Sequence, residues 1–100
     1  MDWNKSFIKF KKEFRAHAID RMVQRDISFD EIKELSENLK IISEYPEDSP
    51  YPSCLSLGFT TSNRPIHIVF SVNKKDKIVF IISIYEPDEN IWNAEFDRRK

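Results

Sequence analysis

The two histidines, a set of arginines, Tyr85 and the single cysteine are the residues of this chain that could do chemistry. His17, Arg21 and Arg25 stand at i, i+4 and i+8, so on a helix they share one side. A histidine beside two planar, permanently charged guanidiniums could cradle a phosphate, although an ordinary polar face paired to Asp20 or Asp26 would have the same spacing. His67 lies in an apolar, strand-like run, and the unperturbed pKa of a histidine lies near neutrality, which suits a general acid or base as well as a surface histidine with no role. Tyr85-Glu86-Pro87 ends the last apolar run. Proline forces the chain out of a sheet there and leaves Tyr85 at a rim, able to orient a phosphate or simply to pack its ring. Cys54 reads as a small core residue rather than a nucleophile. No Cys-x-x-Cys pair, His-Glu-x-x-His motif or glycine-rich phosphate loop occurs in the 100 residues, so neither a metal nor a nucleotide cofactor is expected.

The elements that must position these groups follow from periodicity. Trp3, Phe7, Phe10, Phe14, Ala18 and Met22 recur at helical steps, most firmly over Ala16 to Arg25, while Ile8 to Phe10 also suits a short strand. Ser28 and Glu31 form a capping box that opens a second helix, about Phe29 to Asn38, burying Ile32, Leu35 and Leu39. The period then changes to two. Lys40–Tyr45, Cys54–Thr61, Arg64–Asn73 and Lys77–Tyr85 read as strands, separated first by a proline loop from Pro46 to Pro52. Asn90–Arg98 reads as a short helix or a tail anchored by Trp92 and Phe96.

Register can be argued from parity. A two-residue turn at Ser62-Asn63 pairs Leu57 with Ile68, and a three-residue loop at residues 74–76 pairs Ile68 with Ile82. Leu57, Ile68, Phe70 and Ile82 then face the helices. On the opposite face His67 sits between Gly58 and Ser83, with Tyr85 diagonal to it, and Gly58 leaves a hollow above the imidazole. The expected fold is α+β: N-terminal helices packed on one face of an antiparallel meander of three to four strands, in one domain over residues 1–100.

Composition sets the outer bounds. One cysteine excludes an internal disulfide and fits a reducing compartment. Without an apolar leader or a run long enough to span a bilayer, the cytoplasm is the expected location. The net charge of −1 divides unevenly. Residues 1–25 carry seven Lys/Arg against three Asp/Glu, whereas residues 26–63 carry two against eight. A basic N-terminal third could meet phosphates, but the acidic middle argues against a dedicated duplex-DNA binder.

Four segments also carry a resemblance. His17-Ala-x-x-Arg21-Met22-x-x-Arg25-x-Ile27-Ser28, Tyr45-Pro-x-Asp48-x-Pro50-Tyr51-Pro52-Ser53-Cys54-Leu55, Arg64-Pro65-x-His67-x-Val69 and Tyr85-x-Pro87 together resemble domain-of-unknown-function family 4258, over about residues 15–98. That family is similar to the RelE and MqsR toxins and often stands beside a YgiT-type zinc-finger antitoxin. The resemblance implies a RelE/barnase-like fold and a toxin of a type II toxin-antitoxin pair that cleaves messenger RNA without a metal. On that reading His67 and His17 supply the proton-transfer roles, Arg21, Arg25 and Arg64 meet RNA phosphates, and Tyr85 orients the scissile one. The competing expectation is a non-catalytic protein-binding module on a toxin-like scaffold.

Overall fold

A computed structural model describes all residues, 1–100. In chain order the elements are α1 (Trp3–Lys9), β1 (Lys11–Phe14), α2 (Ala16–Arg25), α3 (Phe29–Leu35) with a 3-10 turn at Ser36–Asn38, β2 (Lys40–Tyr45), β3 (Ser53–Phe59), β4 (Pro65–Asn73) and β5 (Ile78–Tyr85). The sheet has five strands in the order β1-β5-β4-β3-β2, not three or four. The additional strand comes from the N-terminal segment that also suited a helix. Phe10 adopts an extended backbone after α1, and the chain runs parallel to β5 before α2 begins.

Each helix end has a local cause. Asp2 caps α1 by accepting from the Lys5 amide at 3.1 Å. The capping box at α3 is present in full: the Glu31 amide donates to Ser28 Oγ at 3.1 Å and the Ser28 amide to Glu31 Oε1 at 2.9 Å. Helix α2 stops where Asp26 turns left-handed at φ 53°. The Ile27 amide then reaches back to the Met22 carbonyl at 2.8 Å, a Schellman closure built without glycine.

The helices cover one face of the sheet. Trp3, Phe7, Met22, Ile32 and Leu35 pack on Ile66, Ile68, Phe70, Val79, Ile81 and Ile84 in a single core. At its centre the Phe7 and Phe70 rings lie 4.9 Å apart. The Trp3 indole N–H donates to Glu44 at 2.6 Å and fixes α1 to β2. Cys54 belongs to this core, and burial, then the nearby Glu44 charge, pushes its thiol up to about 12. It is a packing residue.

The strand register corrects the parity argument at both turns. The first loop has three residues rather than two: Thr60 and Arg64 close it, with the Thr60 amide donating to the Arg64 carbonyl at 3.0 Å, and Asn63 takes φ 66°. The second has four, residues 74–77, because Lys77 also turns left-handed at φ 56°. Each extra residue exchanges the faces of the strand beyond it. Ile68 and Phe70 do face the helices, but they pair with Ser56 and Cys54 on one side and with Ile84 and Ile81 on the other. A bulge between Val69 and Phe70 accounts for the further shift along β5.

Two expectations fall with the register. Leu57 and Ile82 lie outside the helix-side core. Gly58 belongs to the helix side, where an added Cβ would stand 2.8 Å from Leu35 Cβ. The glycine lets α3 approach β3. It leaves no hollow over His67.

Candidate functional site

On the sheet face away from the helices, His67 pairs with Leu57 and, directly rather than diagonally, with Tyr85. It is 0% exposed. The covering is the C-terminal strap, residues 88–99, which forms neither strand nor helix but crosses back over the sheet. Trp92 stands edge-on to the imidazole at 4.5 Å. Arg99 lies over the Trp92 ring at 5.4 Å, and Lys40 pairs with Asp97 from β2. Inside the strap the Asn93 amide donates to Arg98 and the Lys100 amide to Ile91, both at 2.8 Å.

Both imidazole nitrogens are occupied. Nε2 lies 2.8 Å from the Phe96 carbonyl, which can only accept, so Nε2 carries the proton. Nδ1 lies 3.2 Å from the Tyr85 hydroxyl, and in the neutral ring it must accept, so Tyr85 donates. Burial pushes the His67 pKa down, with the Phe96 carbonyl partly opposing. Burial also raises Tyr85, which Arg99 partly offsets. The result is a chain of set polarity: carbonyl, imidazole, phenol. Phe96 holds φ 59°, a conformation that costs a bulky residue about 1 kcal/mol.

The linkage gives an acid-sensitive strap. The unfolded chain binds a proton at His67 near the ordinary value of 6.5, the folded one only at lower pH. The stabilisation is therefore complete above about pH 6.5 and is lost as the pH falls below it. The Asp97 and Glu31 carboxyls, both held low by hydrogen bonds, lose their contributions only in the ordinary carboxylate range, about 4. Titrating the Trp92 indole resonance between pH 7 and 5 is expected to show the strap loosening in the histidine window. The step should be absent in His67→Phe.

Tyr85 also faces solvent through an open cleft of about 340 Å³ between the end of α2, β5 and the strap. Arg21, Arg25 and Arg99 line it with Ser83 and Tyr85, and Glu86 and Asp88 stand at the same cleft. The predicted Arg21/Arg25 face thus meets the predicted Tyr85 rim, since α2 packs against β5. His67 reaches the cleft only through the Tyr85 hydroxyl. Because that hydroxyl donates inward, its lone pairs are what it offers to the cleft. It is set to accept.

Two expected residues have other places. His17 is exposed on α2 and is not part of the cleft wall. Arg64 is committed to the fold: Nε donates to Glu86, Nη1 to the Asp26 carbonyl at 2.8 Å and to Glu31 at 3.2 Å, and Nη2 to the Arg25 carbonyl. Little of that guanidinium is left for an RNA phosphate. Arg99 is the cleft residue that periodicity did not find. Its only sequence signal was a terminal Arg-Arg-Lys run after an anchoring Trp92.

No group of three His, Cys, Asp or Glu side chains is placed to hold a metal ion. No helix is long and apolar enough to cross a membrane. No curated protein matches the chain. The family model for a domain of unknown function, DUF4258, matches residues 14–86, which carry α2, the arginine face, four of the five strands, His67 and Tyr85, and on that match the chain belongs to the DUF4258 family.

Proposed function

We propose that the chain is the toxin of a type II toxin-antitoxin pair, a metal-independent endoribonuclease acting on messenger RNA. The observation that carries this reading is the convergence of Arg21, Arg25 and Arg99 on one cleft around a tyrosine backed by a neutral histidine. RNA cleavage through the 2′-hydroxyl needs cations for the charge that builds on the phosphorane and an acceptor for the 2′ proton. The arginines supply the first. Tyr85 supplies the second: its oxygen takes the 2′ proton as its own proton passes to His67 Nδ1. The 2′ oxygen bonds to phosphorus as the bond to the 5′ oxygen breaks; water at the open cleft protonates the departing oxygen, and the His67 proton returns through Tyr85 to the hydroxide left behind. His67 is in this scheme a partner of Tyr85 rather than a group that touches RNA. The proposed biological partner is a cognate antitoxin, with a zinc-finger protein of the YgiT type as the expectation from the family resemblance.

Induced expression without any antitoxin should arrest growth and deplete messenger RNA. Arg21→Ala and Tyr85→Phe should each reduce cleavage by about 100-fold. Both residues are part-exposed at the cleft, so both variants should fold, Tyr85→Phe at a cost of about 1 kcal/mol because His67 Nδ1 loses its donor. A harmless wild-type chain would sink the reading. The second reading, a protein-binding module on the same scaffold, is favoured by the sealing of His67 under Trp92. It predicts that wild type and Tyr85→Phe leave RNA equally untouched.

A further inference from the structure

The sheet edge beyond β5 carries a second constellation. Strand β1 is an edge, bonded only to β5. In that parallel pairing the Lys11 amide donates to the Lys77 carbonyl at 3.3 Å and the Arg15 amide to the Ile81 carbonyl at 2.9 Å. Parallel ladders use alternate residues, so the amides and carbonyls of Lys12 and Phe14 point away from the sheet. Beside them, on the helix side, lies a groove of about 420 Å³ walled by Phe7, Phe14, Phe29 and Ile32. Phe29 is 59% exposed although it packs edge-on against Phe14 at 5.1 Å.

The groove also contains a cation without an anion. The Lys12 ammonium is half-buried and meets only the Phe10 carbonyl at 3.3 Å and the Phe7 ring at 5.0 Å. It takes part in none of the protein's ion pairs, and burial lowers its pKa. A part-desolvated ammonium in an apolar wall is costly unless a carboxylate meets it. Lys33 stands at the same groove, against one carboxylate, Glu37. Along the strand and just beyond its end, Lys11, Lys12 and Arg15 outnumber Glu13.

We propose that the free edge of β1 and its groove receive an extended acidic segment of a partner protein that carries an apolar residue two positions from one of its carboxylates, added to the sheet as a sixth strand. The outward amides and carbonyls of Lys12 and Phe14 give the backbone pairing. Lys12 and Phe14 share the groove face, so on that face a carboxylate meets Lys12 and an apolar side chain two residues away enters beside Phe14 and Phe29, while carboxylates on the other face meet Lys11 and Arg15. A helical ligand would leave the strand edge unpaired, which is why an extended one is favoured. The inference stands apart from the ribonuclease reading, since none of these residues lines the arginine cleft.

The test uses the full chain and a blocked ten-residue peptide of glutamates with valine at every fourth position, so that glutamate and valine alternate along one face. Saturable binding is expected, with slowed amide exchange at Lys12 and Phe14. Lys12→Glu should weaken binding by about tenfold, equivalent to about 1.4 kcal/mol, and Lys12→Gln and the exposed Phe29→Ala each by several-fold. A peptide with lysine in place of glutamate should bind about tenfold more weakly, and one N-methylated along its pairing edge should not bind. The proposal is overturned if the N-methylated peptide binds equally well, or if Lys12→Glu changes nothing while its amide spectrum stays folded. Absence of peptide binding at millimolar concentration, or protection of Lys12 and Phe14 by a single-stranded RNA ten-mer instead, also overturns it.

Discussion

Replacing His67 by alanine is expected to destabilise the protein by about 3 kcal/mol and to release the strap. Three losses coincide at that position. The imidazole is fully buried, so its removal leaves a cavity under Trp92 that the strap can fill only by moving. The Phe96 carbonyl loses its donor and the Tyr85 hydroxyl its acceptor, and a buried polar group left unpaired costs more than the bond itself contributed. Phe96 then has no return for its left-handed backbone. Urea denaturation would give the stability change, and the Trp92 indole resonance would report the strap. His67→Phe separates packing from hydrogen bonding: it refills the volume without replacing the polar partners, so it should recover more than half of the loss. If alanine costs less than about 1 kcal/mol, the strap is held by Lys40–Asp97 and its internal bonds, and His67 is incidental to it.

The same variants bear on function. In the proposed reaction His67 accepts a proton through Tyr85, so His67→Phe should be folded and inactive. A purely structural histidine would instead leave His67→Phe active. The strap lies outside the residues that the family model matches, so the sealing of His67 and the Arg99 side of the cleft come from a segment beyond the matched core.

Much of the scaffold was legible in the sequence because local chemistry dictates it. The capping box at Ser28 and Glu31, the stripe of Ile32, Leu35 and Leu39, and the bounds of β2 follow from side chains a few residues apart. What failed was set by two backbone choices with weak sequence signals. Asparagine at 63 tolerates a left-handed φ, but lysine at 77 gives no hint of one, and each lengthens its loop by one residue. With a period of two, that is enough to exchange the faces of a strand. Leu55 and Leu57 added to the error because they are apolar yet belong to the second face, at 7% and 3% exposure. A strand buried on both sides has no alternation to read. The pairing of the arginine helix with Tyr85 was a matter of tertiary packing. Periodicity could put Arg21 and Arg25 on one face, but not choose the strand beside it.

Arg64→Ala should cost about 3 kcal/mol and Arg64→Lys about 2 kcal/mol, the larger figure again reflecting partners left without a donor. The guanidinium ties the C-terminal carbonyls of α2 at Arg25 and Asp26 to Glu31 in the capping box of α3 and to Glu86 beyond β5. Its side chain is 23% exposed, so solvent screens the ionic part and the directed bonds carry most of the effect. The carbonyls at the end of α2 also hold the negative end of its dipole, which a cation there relieves. Lysine has one compact ammonium and cannot span partners on both sides of a planar fork. Amide exchange at the end of α2 and the start of α3 should speed up together, since one side chain joins them. Arg25 belongs to that same helix end and lines the cleft, so on the proposed function Arg64→Lys should weaken RNA binding without removing any cleft residue. A loss below about 0.5 kcal/mol, with unchanged exchange at Arg25 and Glu31, would reduce Arg64 to an ordinary surface cation and leave its guanidinium free to meet a phosphate.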